Sequence, residues 1–239
     1  MTAPDVDAAT IGEAWLGIAA RILQGGAADA YDGLPILELE NVTLHVTAPR
    51  SDDPIVAQLG EPERLAWMHA NFTDFARVPA LGDARSYASR LYAYGESDRD
   101  QVRWVIDRLR RDPASRSATI TTFEPLLDDS YIPCVSLLDF WIRDGALCQV
   151  VYAHSIDFGA KGYGNLVELA FLQETIAEAL VLPVGDLTFV IKSAHVYDTE
   201  AGYMTGVLTR TAAGQRTGGT ASPIARSAAD STPNDSMSA

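Results

Sequence analysis

Apolar side chains near the start of the chain recur at helical spacing. Over residues 10–24 the apolar positions of one face are Trp15, Ile18, Ala19, Ile22 and Leu23. This spacing predicts an amphipathic helix, and Thr10 and Glu13 have the separation of a capping box at its start. A second amphipathic pattern predicts a helix over residues 97–111.

Several stretches carry the apolar alternation and β-branched residues typical of strands. Strands are predicted over residues 35–47, 117–123, 134–142, 146–155 and 186–197. Asp144 and Gly145, between two of these strands, form a hairpin-turn signal. A long apolar stretch at 166–180 predicts a buried helix before the last strand.

The chain divides into a folded part and a polar tail. Residues 211–239 contain almost no large apolar side chain. Such a segment cannot bury enough surface to offset the entropy of ordering, so we expect it to be disordered. Residues 1–210 are long enough for one well-buried domain.

Charge and composition exclude some classes of function. The formal net charge is −14, and an acidic surface repels nucleic-acid backbones, so a general DNA or RNA binder is not expected. No uncharged apolar run reaches the ~18 residues of a membrane span, and the acidic N-terminus lacks a signal-peptide pattern. Two cysteines do not make a disulfide framework. We therefore expect a cytoplasmic protein with reduced thiols.

Polar and reactive side chains punctuate the apolar second half of the chain: Cys134, Ser155, Asp157, Asn165, His195 and Tyr197. Each alone has an ordinary structural explanation. Cys134 has the setting of a small buried side chain. Asn165 fits a helix N-cap, and His195 fits a hydrogen-bonded core histidine. No cluster has the spacing of metal ligands, so no metal is expected.

The order and spacing of these groups resemble the thymidylate synthase family. The segments that carry the resemblance are Pro133-Cys134, HSID at 154–157, Asn165 and HVY at 195–197. They are similar to the family's Pro-Cys nucleophile, its Arg-Ser-x-Asp segment, the Asn that follows, and its His-x-Tyr. Upstream, DPASR at 112–116 resembles the family's Asp-Pro-x-Ser-Arg-Arg segment. The resemblance is strongest over residues 98–197.

The resemblance implies a fold and a reaction. The fold would be α+β, a mixed β-sheet flanked by helices, with two subunits packed sheet to sheet as a homodimer. Cys134 would add to C6 of a uracil-type ring and make C5 nucleophilic. C5 would then take a one-carbon unit from 5,10-methylenetetrahydrofolate. The product would be a methylated or hydroxymethylated pyrimidine nucleotide or nucleoside.

The resemblance also implies a role for each matched side chain. Asn165 would bind O4 and N3 of the pyrimidine, which favours uracil over cytosine. Asp157 would contact the folate pterin and order water, and Glu63 would organise the water used for proton transfer. The sugar hydroxyl would be held by His195 and Tyr197. The 5′-phosphate would be held by Ser155 and by Arg116 from the partner subunit.

Three departures from the family pattern affect the ligand. His154 and Ser117 stand where the family has phosphate-binding arginines, whose planar forks bind oxyanions better. We therefore expect a substrate without a 5′-phosphate, or a weakly bound one, unless other arginines compensate. The candidates for compensation are Arg50, Arg85 and Arg90. The folate-stacking tryptophan is missing between residues 73 and 87, and the C-terminal end is polar instead of an apolar segment that closes the site.

Three classes of function follow from these patterns. The first is a folate-dependent C5 transferase of a specialised pathway, since this phosphate site does not suit a housekeeping thymidylate synthase. The second is an enzyme of the same fold that uses Cys134 on a non-nucleotide ring without folate. The third is a non-catalytic, pyrimidine-binding homologue, which the retained central polar groups disfavour.

Overall fold

The structure of the protein, a computed structural model, describes residues 5–128 and 131–218. The strands are β1 Val6–Ala8, β2 Ala27–Tyr31, β3 Leu34–Val46, β4 Arg77–Val78, β5 Ala84–Arg85, β6 Ala118–Thr121, β7 Val135–Arg143, β8 Ala146–Ala153, β9 Ile156–Asp157 and β10 Val184–Tyr197. The α-helices are α1 Ile11–Gly25, α2 Pro54–Leu59, α3 Pro62–Thr73, α4 Tyr87–Tyr92, α5 Gln101–Arg111, α6 Gly162–Leu180 and α7 Asp198–Gly218.

The main sheet is mixed, as the resemblance implies. Its strand order is β1-β3-β10-β8-β7-β6, with β2 added beside β3 and β9 beside β10. Strands β3 and β10 run antiparallel, whereas β10 and β8 run parallel. The parallel pair is connected through α6, because parallel neighbours need a long crossover. The α+β prediction is confirmed.

One face of this sheet is buried and the other is exposed. Leu187 and Ile191 of β10 are fully buried on the face that α1 and α6 cover. Because side chains alternate along a strand, Val190 points to the opposite face. There it is 40% exposed beside its cross-strand neighbour Tyr152, also 40% exposed, and Leu137 on β7, 37% exposed. We call these three residues the apolar row. A sheet-to-sheet homodimer would cover it, and that assembly stays a prediction.

Local signals in the sequence correspond to specific contacts at element ends. The hydroxyl of Thr10 accepts a hydrogen bond from the Glu13 N–H at 3.3 Å, and the Glu13 carboxylate accepts one from the Ala9 N–H at 2.9 Å. Both residues of the predicted hairpin turn have positive φ, 51° at Asp144 and 77° at Gly145. Positive φ at both central positions is the requirement of a type I′ turn, which matches the strand twist.

The last helix extends into the segment where the sequence predicts a disordered tail. Helix α7 is anchored by Met204 and Val207, which are fully buried, and it continues through residues 211–218. Extending an existing helix costs little once its first turns are packed. The rest of the predicted tail, residues 219–239, lies outside the described residues. Among the described residues, no helix combines the length and apolar character that a membrane span requires.

Candidate functional site

Cys134 lies immediately before β7, and its backbone is fixed on two sides. Its carbonyl accepts a hydrogen bond from the His154 N–H at 3.0 Å. The N–H of the next residue, Val135, donates to the hydroxyl of Tyr87 at 3.0 Å. Tyr87 is buried and stacks on Phe72, with ring centroids 4.5 Å apart. Cys134, which is half-buried, therefore lies on a segment that two backbone hydrogen bonds hold in place.

The groups around the Cys134 thiol act on its pKa in opposite directions. Burial is the largest effect and raises the pKa, and the carboxylate of Asp157 raises it further. The ammonium of Lys161 and a hydrogen bond to Tyr131 lower it. Burial wins, so the group is a thiol at neutral pH. It becomes a nucleophile when a ligand or a pH change favours the thiolate.

Asp157 is the last residue of β9 and pairs with His195 of β10 in parallel register. Its carboxylate accepts hydrogen bonds from the N–H groups of Gly159 at 2.9 Å and Ala160 at 3.3 Å. Burial raises the pKa of Asp157, and these N–H groups and the charge of Lys161 oppose that increase. The turn therefore holds a carboxylate at the entrance to α6.

His195 and Tyr197 lie two residues apart on β10, with ring centroids 5.1 Å apart. Burial lowers the pKa of His195, so the imidazole is neutral at pH 7. Burial, followed by the charge of Asp157, raises the pKa of Tyr197 to about 12. Tyr31 of β2 is a further member that the sequence reasoning missed, 5.9 Å from His195 between ring centroids. The site thus gains an aromatic side chain from the edge hairpin.

Asn165 lies inside the first turn of α6 and is only 5% exposed. The N-cap of α6 is Lys161, so the N-cap explanation for Asn165 is wrong. The side-chain oxygen of Asn165 is buried and has no hydrogen-bond partner among the described residues. An unpartnered buried carbonyl costs about 1–3 kcal/mol. A ligand N–H in this position would remove that cost.

Lys161 is the charged residue that the sequence reasoning missed. Its ammonium acts on Cys134, Asp157 and His195 and lies 5.9 Å from the centroid of the Trp67 ring. Trp67 thus faces the same turn, although it lies outside residues 73–87, where the family resemblance implies a stacking tryptophan. The sequence offers one signal for this residue, since lysine is rare in the chain and occurs only at Lys161 and Lys192.

The residues predicted for the phosphate end lie in two places. His154 is half-buried, with its Nδ1 3.1 Å from the Ser136 hydroxyl, and Ser155 beside it is buried. Arg116 and Ser117 instead precede β6 at the sheet edge and are exposed. The approach of Arg116 to Ser155 of a second subunit stays a prediction.

The hydroxyl of Ser117 is engaged by a cation from its own chain. Arg108 of α5 donates to Ser117 at 2.5 Å and to Ser115 at 2.9 Å. A guanidinium therefore lies beside the position where the second family arginine is lost.

The three arginines proposed to compensate are all paired within the chain. Arg90 is 2% exposed and binds Asp128 through two hydrogen bonds of 2.7 Å. Arg85 binds Glu124 at 2.6 Å. The third, Arg50, is exposed and pairs with Asp52 at 2.8 Å. Arg85 and Arg90 are each bound by a buried carboxylate of the loop after β6, which disfavours them as phosphate ligands.

Glu63 lies in the first turn of α3 and is exposed. Within the described residues Glu63 makes no hydrogen bond or ion pair with another predicted site residue, and its catalytic role stays a prediction. Near the N-terminal end of α6, one turn after Asn165, Glu168 carries a buried carboxylate. It contacts His69 at 3.2 Å. Burial raises the pKa of Glu168 while His69 opposes the rise.

Comparison with known proteins gives one consistent result. The family described as thymidylate synthase matches residues 52–221. A protein from Methanococcoides burtonii named "Putative thymidylate synthase" is 30% identical over 81% of this chain and 89% of its own length. Proteins of the same name from Methanosarcina acetivorans and Methanothermobacter marburgensis are 35% and 28% identical, over 57% and 79% of this chain. Those alignments span 66% and 90% of the relatives' lengths.

Proposed function

Because the chain belongs to the thymidylate synthase family, we propose that it transfers a one-carbon unit to C5 of a uracil-type nucleotide or nucleoside through Cys134. The observation that carries this proposal is the buried side-chain oxygen of Asn165, which has no hydrogen-bond partner in the part of the chain that the structure describes. It lies in the same turn as Lys161, whose charge reaches the Cys134 thiol. A uracil N3–H would supply the missing hydrogen-bond donor.

The first step would be addition of Cys134 to the ring. The thiol loses its proton to solvent, the sulfur forms a bond to C6, and the C5–C6 π electrons move to C5 and O4. The Asn165 amide would donate to O4 while its oxygen accepts from N3–H. Lys161 would stabilise the thiolate before addition, since an ammonium nearby favours the charged form.

The residues around Asp157 fit a donor such as 5,10-methylenetetrahydrofolate. Trp67 offers an aromatic surface beside the Lys161 ammonium. Asp157 offers a carboxylate that would accept hydrogen bonds from a pterin. Trp67, Lys161 and Asp157 would hold the donor, which when bound supplies the one-carbon unit. This donor is consistent with either methylation or hydroxymethylation of C5. The altered phosphate end at His154 and Ser117 favours a specialised pathway over housekeeping synthesis.

The test is hydrogen exchange at C5, which needs no folate. Addition of Cys134 to C6 makes C5 take a deuteron from D₂O. Loss of the original proton from C5 and cleavage of the S–C6 bond then return a deuterated ring. We expect the H5 signal of UMP, dUMP or uridine to disappear in NMR spectra with wild-type protein and to persist with Cys134→Ser. Cys148→Ala is the matched control, because Cys148 is buried and 2% exposed, and it should retain exchange.

The same experiment separates the other classes of function. Binding of a pyrimidine without exchange would indicate the non-catalytic homologue. Absence of both binding and exchange for all three ligands would overturn the proposal. An enzyme that acts on a non-nucleotide ring would give that result while its Cys134 remains reactive toward alkylating reagents. Its support here is the missing tryptophan between residues 73 and 87.

A further inference from the structure

A lysine stands beside His154 on the exposed face of the sheet. Ile191 of β10 pairs with Ala153 of β8, and both are fully buried on the helix-covered face. Lys192 follows Ile191 on β10, whereas His154 follows Ala153 in the bend immediately after β8. Because side chains alternate along β10, Lys192 points to the exposed face, and its charge acts on His154.

His154 connects Lys192 to the nucleophile. Its Nδ1 lies 3.1 Å from the Ser136 hydroxyl, and its backbone N–H donates to the Cys134 carbonyl at 3.0 Å. We call Ser136, His154 and Lys192 the polar row. It runs from β7, through the bend after β8, to β10 next to the apolar row, and it begins two residues from Cys134.

The charge of the polar row comes from Lys192. Lys192 is exposed and has no ion-pair partner within residues 5–128 and 131–218. Burial, and then the Lys192 charge, lowers the pKa of His154, so the imidazole is neutral at pH 7. In a chain with a net charge of −14, this ammonium gives the polar row a local positive charge. The polar row therefore offers one fixed positive charge, one hydroxyl and one imidazole.

We infer that Lys192 is a specificity-determining residue that binds a phosphate monoester carried by the pyrimidine substrate. An ammonium binds phosphate as a point charge, and the Ser136 hydroxyl is a hydrogen-bond donor for its oxygens. The inference rests on the proposed function and reverses one expectation from the sequence. Loss of an arginine at position 154 alone favours an unphosphorylated ligand, whereas Lys192 on the adjacent strand restores the charge.

The test compares UMP with uridine by calorimetry at pH 7.5, using the full chain. Wild-type protein should bind UMP more tightly than uridine. Lys192→Met should weaken UMP binding by about tenfold or more, the range of one charge-assisted hydrogen bond, and leave uridine affinity unchanged. Lys192→Arg should retain the preference. Arg103→Gln, which removes one exposed charge on α5, is the matched control and should leave both affinities unchanged.

The outcomes separate this inference from the proposed function. If uridine binds but Lys192→Met keeps the wild-type preference for UMP, the inference is wrong and the proposed function stands. Uridine binding as tightly as UMP to wild-type protein would also overturn it. If neither ligand binds, both the role of Lys192 and the proposed function are wrong. Because Lys192 is exposed, the fold of each variant can be verified by circular dichroism, and Lys192→Arg distinguishes loss of charge from loss of structure.

Discussion

The hydroxyl of Tyr87 accepts a hydrogen bond from the N–H of Val135 at 3.0 Å, one residue after the cysteine that carries the proposed chemistry. The contact joins α4 to β7 across 48 positions of the sequence. Tyr87→Phe would leave a buried N–H without an acceptor, which should reduce the free energy of unfolding by about 1–3 kcal/mol.

Urea denaturation measures that change, and C5 exchange should slow because the Cys134 segment loses one of its two anchors. Tyr152→Phe is the matched control, since Tyr152 is 40% exposed on the sheet face. Equal stability of the Tyr87 and Tyr152 variants would contradict the anchoring role.

The rate of alkylation of Cys134 should rise with pH, and burial of the thiol should shift that rise to higher pH. Burial raises the pKa of this thiol, and only the thiolate reacts. The rate of reaction with iodoacetamide should therefore rise through and beyond pH ~8.5, the ordinary thiol range. Lys161→Met removes a charge that lowers the pKa, so the rate at pH 8 should fall further.

Mass spectrometry of the modified peptide separates Cys134 from Cys148, whose burial should keep it unreactive. A Cys134 rate that reaches its plateau below pH 8 would contradict this expectation, as would a Lys161→Met variant that reacts faster at that pH.

Asn165 should matter for ligand binding and not for stability. Asn165→Ala removes a buried oxygen that has no partner among the described residues, so part of the cost of the new cavity is offset. We expect the free energy of unfolding to change by less than about 1 kcal/mol, while the affinity for uridine falls about tenfold or more. Calorimetry and urea denaturation of the same variant give both numbers.

Asn165→Asp should change which base binds. A carboxylate accepts hydrogen bonds but offers no donor to O4, whereas it accepts from the cytosine amino group. Cytidine affinity should therefore rise relative to uridine. A variant that keeps the uridine preference would indicate that Asn165 does not contact the ring.

The apolar row should be the subunit interface. Exposed, neighbouring apolar side chains on a sheet face mark interaction surfaces. Val190→Arg would put a charge in the middle of that interface. Wild-type protein should sediment as a dimer at micromolar concentration and the variant as a monomer. A monomeric wild-type protein would contradict the homodimer prediction.

Subunit mixing tests whether Arg116 acts across that interface. Cys134→Ser and Arg116→Ala should each be inactive alone. In a mixed dimer one site carries both defects and the other carries neither. Refolding the two variants together should therefore recover about a quarter of wild-type exchange activity. No recovery, with mixed dimers verified by mass spectrometry, would place Arg116 in its own subunit's site, whereas full activity of Arg116→Ala alone would place it outside the site.

Local patterns determined much of the fold in advance. Helices were predicted over residues 10–24 and 166–180 and are found at Ile11–Gly25 and Gly162–Leu180. The hairpin at Asp144 and Gly145 was predicted because its turn chemistry is local. These features depend on residues a few positions apart, so periodicity, caps and turn residues specify them. The sequence resemblance also selected Cys134, Asn165 and His195 as a set, because the order and spacing of motifs are visible in the sequence alone.

Tertiary structure decided which side chains meet. Lys161, Tyr131 and Tyr31 act on the site through contacts that no spacing rule encodes, since they come from a turn, a loop and an edge hairpin. The placement of Lys192 near His154 follows from the register of β10 against β8, in which Ile191 pairs with Ala153, 38 positions away. Glu63 has a plausible sequence context, yet its helix turns it toward solvent. Register and helix rotation are set by packing of the whole core, so they can be read only from the folded chain.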